Sequence, residues 1–152
     1  MDAQLLQRIT AAVTAPGPRD ERALQAADLI RHATKQRWVG IYTVTDSDVF
    51  IEAWSGPGPP AFETFPRDRG LTAHALRTRA PALSNDVGND PRYLTNQDDS
   101  GSELVVPIAG EGELTGTLDV ESDEIGAFDG ASIALLERCA QALAALWDEA
   151  DD

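Results

Sequence analysis

Four residues of this chain could together hold a positively charged small molecule: Trp38, Tyr42, Asp119 and Glu121. Each pair lies in a stretch rich in β-branched and aromatic residues, which is typical of a β-strand. Side chains two or four residues apart on a strand share a face, so Trp38 and Tyr42 lie together, as do Asp119 and Glu121. Aromatic walls bind cations through cation–π contacts, and carboxylates pair with ammonium groups. Because crowded carboxylates raise one another's pKa unless a cation neutralises them, the pattern favours a cationic or zwitterionic ligand.

The two acids also have a purely structural explanation. Asp119 and Glu121 could cap loops, or they could pair with a nearby arginine such as Arg67, Arg69 or Arg92. The residues alone leave both explanations open.

Cysteine and histidine add little further chemistry. Cys139 is the single cysteine, which excludes a disulfide within the chain, and it falls among the apolar positions of a predicted helix. His74 could contact a ligand or bind haem iron, but no second His or Cys lies near it, and His32 is predicted on a helix surface. No zinc-type spacing and no phosphate-binding glycine loop occur. We therefore predict no metal and no cofactor.

Helical and strand-like patterns alternate along the chain that carries these residues. Hairpins with helices segregated to the ends and one face predict an α+β domain with an antiparallel sheet. The long polar segment 85–101 is typical of a functional loop. The predicted helices cover 3–14, a stretch from an N-cap at Asp20 to Thr34, 69–79, and a stretch from a cap at Asp129 to Trp147; the predicted strands cover 38–44, 49–54, 61–65, 82–84, 103–108 and 114–120.

Composition narrows the class of partner. The 152 residues include 12 Lys plus Arg against 26 Asp plus Glu, so the net charge is −14. Binding to nucleic acid or to an anionic membrane needs a basic face, so we expect neither partner. No apolar run approaches the ~18–20 residues of a membrane-spanning helix, and the N-terminus does not resemble a secretory signal. We therefore expect a cytoplasmic protein.

The last predicted helix carries an unusually wide apolar stripe. Such a stripe fits burial within one chain, and it equally fits a homodimer built on the terminal helices. The stripe comprises Ile133, Leu135, Leu136, Cys139, Ala140, Leu143, Leu146 and Trp147.

Three segments together resemble the GAF family of small sensory domains. The first runs from Arg69 through Thr78, and the second joins Asn85-Asp86-Val87 to Asp90-Pro91-Arg92-Tyr93. The third runs from Ser102 through Ser122 to Phe128-Asp129. The resemblance implies an antiparallel sheet of about six strands flanked by N- and C-terminal helices, with a ligand pocket over one sheet face. It also implies one domain over 1–152, with a helix and linker in 1–18 and a core in 20–148.

Within this family the chain is similar to the free methionine-(R)-sulfoxide reductase subgroup. The resemblance assigns Trp38, Tyr42, Glu103, Asp119 and Glu121 to holding an amino-acid substrate. It also makes Thr72 and His74, on the helix over the pocket, and Tyr93, in the loop, candidates for ligand contact.

The subgroup's catalytic cysteines are replaced by other residues in this chain. Their aligned positions hold Phe62, Thr72 and Asn96. Reduction by this route needs one thiolate to attack sulfur and a second thiol to resolve the intermediate. The sequence therefore predicts that the chain is not an enzyme.

Taken together, these features predict a stand-alone GAF ligand-binding or sensory module. Its expected partners are an amino-acid-like small molecule, a second copy of the chain, and a separate signalling protein. Two alternatives stay open: a methionine sulfoxide reductase-like enzyme with atypical chemistry, and a ligand-free dimerisation scaffold.

Overall fold

A computed structural model describes residues 2–92 and 100–148 of the chain. Helices and strands follow one another in the order that the sequence predicts. The helices are α1 (Asp2–Thr14), α2 (Arg19–Thr34), α3 (Gly70–Thr78) and α4 (Gly130–Leu143), and short 3-10 turns cover Val87–Asn89 and Ala144–Trp147. The strands are β1 (Trp38–Val44), β2 (Asp48–Ser55), β3 (Thr64–Pro66), β4 (Ala82–Ser84), β5 (Ser102–Gly110) and β6 (Glu113–Ser122).

The strands of the described residues form one antiparallel sheet in the order β3-β2-β1-β6-β5-β4. The predicted α+β architecture with about six antiparallel strands is confirmed. Consecutive strands form two hairpins, β1–β2 and β5–β6, and the pairing of β1 with β6 joins them at the centre of the sheet.

Three helices cover one face of this sheet. Side chains of α1, α2 and α4 pack with Val39, Ile41, Leu118 and Val120 of the central strands in the main hydrophobic core. The shorter α3 contacts β4 and β5 instead, and its Leu71 packs with Val105 in a separate small cluster. Within the described residues, no helix is both long enough and apolar enough to span a bilayer.

The apolar stripe of α4 is largely covered within the single chain. Its central positions Leu136, Cys139, Ala140 and Leu143 are buried in the same core as residues of α1. The predicted cap is confirmed, because the Ser132 N–H donates to Asp129 Oδ1 at 2.8 Å. A homodimer through the terminal helices stays a prediction.

The predicted N-cap at Asp20 is wrong. Helix α2 begins at Arg19, and its N-cap is Pro18, two residues before Asp20, an extended residue with φ −63° and ψ 150°. The proline ring holds φ near this value, which suits the entry into a helix. The Asp20 carboxylate instead accepts a hydrogen bond from the N–H of its neighbour Glu21 at 2.9 Å.

Candidate functional site

Strand register brings the predicted ligand-binding acids together at the centre of the sheet. Glu121 on β6 lies directly opposite Glu103 on β5 and, on its other side, opposite Trp38 on β1. Asp119, two residues away on the same face of β6, lies between Val105 and Gly40. This face is turned away from the layer formed by α1, α2 and α4, because the alternate residues Leu118 and Val120 face those helices.

The three carboxylates form a compact, buried cluster. Oxygen atoms of Glu103, Asp119 and Glu121 all lie within 4.8 Å of one another. The exposed fractions of these residues are only 4%, 2% and 0%, respectively. Buried charges of one sign are costly, so such a cluster either retains protons or binds a cation.

Glu103 gives up its proton less readily than an ordinary glutamate. Burial raises its pKa well above the ordinary value of 4.5, and the charge and hydrogen bond of Asp119 raise it further. The charges of Glu121 and Asp90 act in the same direction. A ligand bearing an ammonium group would relieve this repulsion, because it supplies both positive charge and hydrogen-bond donors.

Replacing Glu103 with glutamine should stabilise the ligand-free protein as the pH rises. The raised pKa of Glu103 means that folding binds a proton, so the wild type loses stability above the unfolded-state pKa of 4.5. Glutamine carries no such proton, so the difference in unfolding free energy between variant and wild type should widen above pH ~5, by at most about 1.4 kcal/mol per pH unit.

Urea unfolding at pH 4, 6 and 8 measures this difference. Glu113→Gln, which changes an exposed acid at the start of the neighbouring strand β6, is the control. Parallel stability curves for Glu103→Gln and wild type would contradict the raised pKa of Glu103.

The aromatic walls of the site are held rigidly. Trp38 is fully buried and its indole N–H donates to the Gly58 carbonyl at 2.9 Å. The indole ring occupies the space beside two glycines: a Cβ atom at Gly40 would lie 2.4 Å from it, and one at Gly56 would lie 2.6 Å from it. Tyr42 is 1% exposed and packs edge-to-face on Phe65, with ring centroids 5.7 Å apart.

Two polar residues near the cluster were missed from the sequence. The Ser100 hydroxyl donates to Glu121 Oε1 at 2.5 Å. Asp90 adds its charge to the field at Glu103, and its hydrogen bonds to Arg92 hold its pKa far below the usual range. Both residues belong to the polar segment 85–101, and segment length was the one signal that could have pointed to them.

The structural alternative for the acids finds no support from two of the arginines. Arg92 forms an ion pair with Asp90 at 2.8 Å and also donates to the Leu83 carbonyl. Arg67 donates to the carbonyl of Thr45.

Two of the remaining site candidates lie on α3, and the third lies outside the described residues. Thr72 is buried in α3, which contacts β4 and β5. His74 is not a member of the acidic cluster; it is half-buried, and its Nδ1 lies 3.1 Å from Nη2 of Arg77. Tyr93 lies outside the described residues.

The structure describes two of the three positions that align with the subgroup's cysteines. Phe62 is 43% exposed, Thr72 is buried, and Asn96 lies outside the described residues. Cys139 is buried in the helix layer on the other face of the sheet, and burial raises its thiol pKa to about 11. Little nucleophilic thiolate is therefore present there at neutral pH.

Comparison with known proteins connects this geometry to a family and to enzymes. The family model described as "GAF domain" matches residues 19–148. GAF domain-containing protein A of Dictyostelium discoideum is 31% identical over 93 residues, which is 60% of this chain and 58% of that protein. The chain thus spans little more than half the length of this relative.

Two further relatives are named as enzymes. The free methionine-R-sulfoxide reductase of Saccharomyces cerevisiae is 28% identical over 76% of this chain and 68% of its own. The solved type II free methionine-R-sulfoxide reductase from Thermoplasma acidophilum is 27% identical, with a TM-score of 0.79 over 84% of this chain and 91% of its own.

These relatives contradict the prediction that the chain is not an enzyme. That prediction used only the residue types at three aligned positions, Phe62, Thr72 and Asn96. Proteins with enzyme activity in their names share the fold and more than a quarter of the aligned residues. The absence of cysteine at these positions is therefore no ground for calling the chain non-catalytic.

Proposed function

Because the chain belongs to the GAF domain family, we propose that its carboxylate cluster binds a small zwitterionic amino acid of the methionine sulfoxide class. The observation that carries the proposal is the convergence of Glu103, Asp119 and Glu121 within 4.8 Å beside the buried Trp38. The names of two relatives, both free methionine-R-sulfoxide reductases, support the choice of amino acid.

The cluster suits an α-ammonium group. An ammonium group has three N–H donors, and the three carboxyl groups offer at least as many acceptor oxygens. Charge-assisted hydrogen bonds in a buried site are stronger than neutral ones. The aromatic ring of Trp38 lies beside Glu121 on the neighbouring strand and would contact the ligand as an apolar wall.

Isothermal titration with L-methionine-R-sulfoxide tests the proposal. We expect saturable binding of one ligand per chain. The matched ligand control is N-acetyl-L-methionine-R-sulfoxide, in which an amide replaces the ammonium group. The acetylated compound should not bind, because it cannot neutralise the buried acids. Equal affinity for the two compounds would overturn the proposal.

Reduction of the bound sulfoxide is a second candidate function, favoured by the reductase relatives. The reaction converts one sulfoxide and two thiols into a thioether, a disulfide and water. The chain has a single cysteine, so both thiols cannot come from one chain, and an external dithiol would supply the electrons. Incubation with dithiothreitol and measurement of free methionine tests this. The second candidate fails if methionine forms no faster than it does without protein.

A further inference from the structure

Arg22, on the helix-covered side of the sheet, is a buried charge that forms no ion pair with an acid of residues 2–92 or 100–148. It is 6% exposed. Its Nε donates to the Gly17 carbonyl at 3.0 Å and its Nη1 to the Val13 carbonyl at 2.6 Å. In the described part of the chain, no carboxylate lies within 4.0 Å of its guanidinium group. Buried arginines are normally paired, so this arrangement calls for an explanation.

The two carbonyls account for only part of what Arg22 offers. A guanidinium group has five N–H donors, and these two bonds use two of them. The carbonyl of Val13 lies in the last turn of α1, where the helix dipole gives partial negative charge. That partial charge partly compensates the cation. The remaining N–H donors are accessible, since no nitrogen of Arg22 is a buried atom without a hydrogen-bond partner.

Arg22 is one of the residues that line a cavity of about 470 Å³. This volume falls within the roughly 300–1,000 Å³ of typical small-molecule sites. Apolar groups of Val13, Pro16 and Ala145 line part of it, and Asp148 is the single acid among its lining residues. The cavity lies between the α1–α2 turn and the 3-10 turn at Ala144–Trp147.

We infer that this cavity is a second ligand site, which binds a small aliphatic carboxylate through Arg22. A carboxylate matches the guanidinium group in charge and can accept two parallel N–H donors. The apolar part of the lining accommodates a short hydrocarbon chain. A single arginine in a partly apolar lining fits a carboxylate better than a phosphate group, which carries more charge.

This site is independent of the carboxylate cluster. Arg22 belongs to α2, whereas Glu103, Asp119 and Glu121 occupy the opposite face of the sheet. A carboxylate without an ammonium group has no reason to enter the acidic cluster. Failure of one site therefore leaves the other untouched.

Titration with butyrate and with butyramide tests the inference. Butyramide has nearly the same shape as butyrate but no charge. We expect saturable binding of butyrate and at least tenfold weaker binding of butyramide, because only butyrate pairs with the buried cation. Indistinguishable binding of the two compounds would overturn the proposal.

Three variants locate the binding site for butyrate. Asp148→Asn removes the like charge at an exposed position and should tighten butyrate binding roughly fivefold. Arg22→Lys keeps the charge, loses the planar fork and should weaken it about tenfold. Arg8→Gln removes one exposed arginine outside the cavity lining and should leave the affinity for butyrate unchanged. Because Asp148 is exposed, its replacement tests the site even if Arg22→Lys fails to fold. Unchanged affinity in Asp148→Asn would contradict the assignment.

Discussion

Replacing Glu121 with glutamine should lower the affinity for L-methionine-R-sulfoxide roughly 100-fold, or about 2.7 kcal/mol. Glu121 occupies the centre of the site, opposite Glu103 on one side and Trp38 on the other, and it is fully buried. Glutamine has almost the same shape but carries no charge. Removing a carboxylate from the cluster leaves the ammonium group incompletely paired in a buried place.

Isothermal titration measures the loss of affinity, and urea unfolding shows whether the variant is folded. Glu113→Gln, at the exposed start of the same strand, removes an equal charge outside the site and should bind as the wild type does. If a well-folded Glu121→Gln variant binds with wild-type affinity, the ammonium group is recognised elsewhere.

The second large effect concerns Gly116 on β6, where a single methyl group should destabilise the protein by about 3 kcal/mol. A Cβ atom there would lie 2.5 Å from the backbone oxygen of Tyr42 and 2.4 Å from the Trp147 ring. The Tyr42 oxygen belongs to the adjacent strand and cannot retreat without breaking the β1–β6 pairing. The Trp147 indole is also fixed, because its N–H donates to the Thr43 hydroxyl at 2.9 Å.

Thermal unfolding of Gly116→Ala should show a midpoint lowered by roughly 10 °C, given the usual change for a chain of this size. The matched control is Gly110→Ala on β5, where a Cβ atom would meet nothing within 4 Å. Equal midpoints for the two variants would show that β1 and β6 can separate at little cost. Because Tyr42 is part of the site, the same variant should also bind the amino acid less tightly.

Much of the fold follows from local patterns in the sequence. The alternation and β-branched content of 38–44 and 114–120 predicted β1 and β6, and the period of two predicted which side chains share a face. Asp129 was identified as a cap because its side chain needs only the N–H of Ser132, three residues away. Strand periodicity and helix capping involve residues close together in the sequence, so they could be predicted from it.

The sequence was less predictive where two nearby residues suited the same structural role. Asp20 and Pro18 both suit the start of a helix, and the structure uses Pro18. The non-enzyme prediction failed for a related reason. It used only three side-chain positions, whereas relatives named as reductases are similar to this chain over three quarters or more of its length.

Sequence patterns predicted the elements, the sheet class and the paired orientation of Trp38 with Tyr42 and of Asp119 with Glu121. The assignment of Glu103 to the same site depended on a family resemblance, because no local pattern connects it to residues on other strands. The pairing of β1 with β6, which places Trp38 opposite Glu121, became known only from the tertiary structure. The position of Arg22 in the lining of a cavity also became apparent only in the tertiary structure. Among the described residues, no carboxylate lies within 4.0 Å of its guanidinium group. The physical reason is that strand order and burial arise from contacts between residues far apart in the chain, whereas periodicity and capping arise within a few residues.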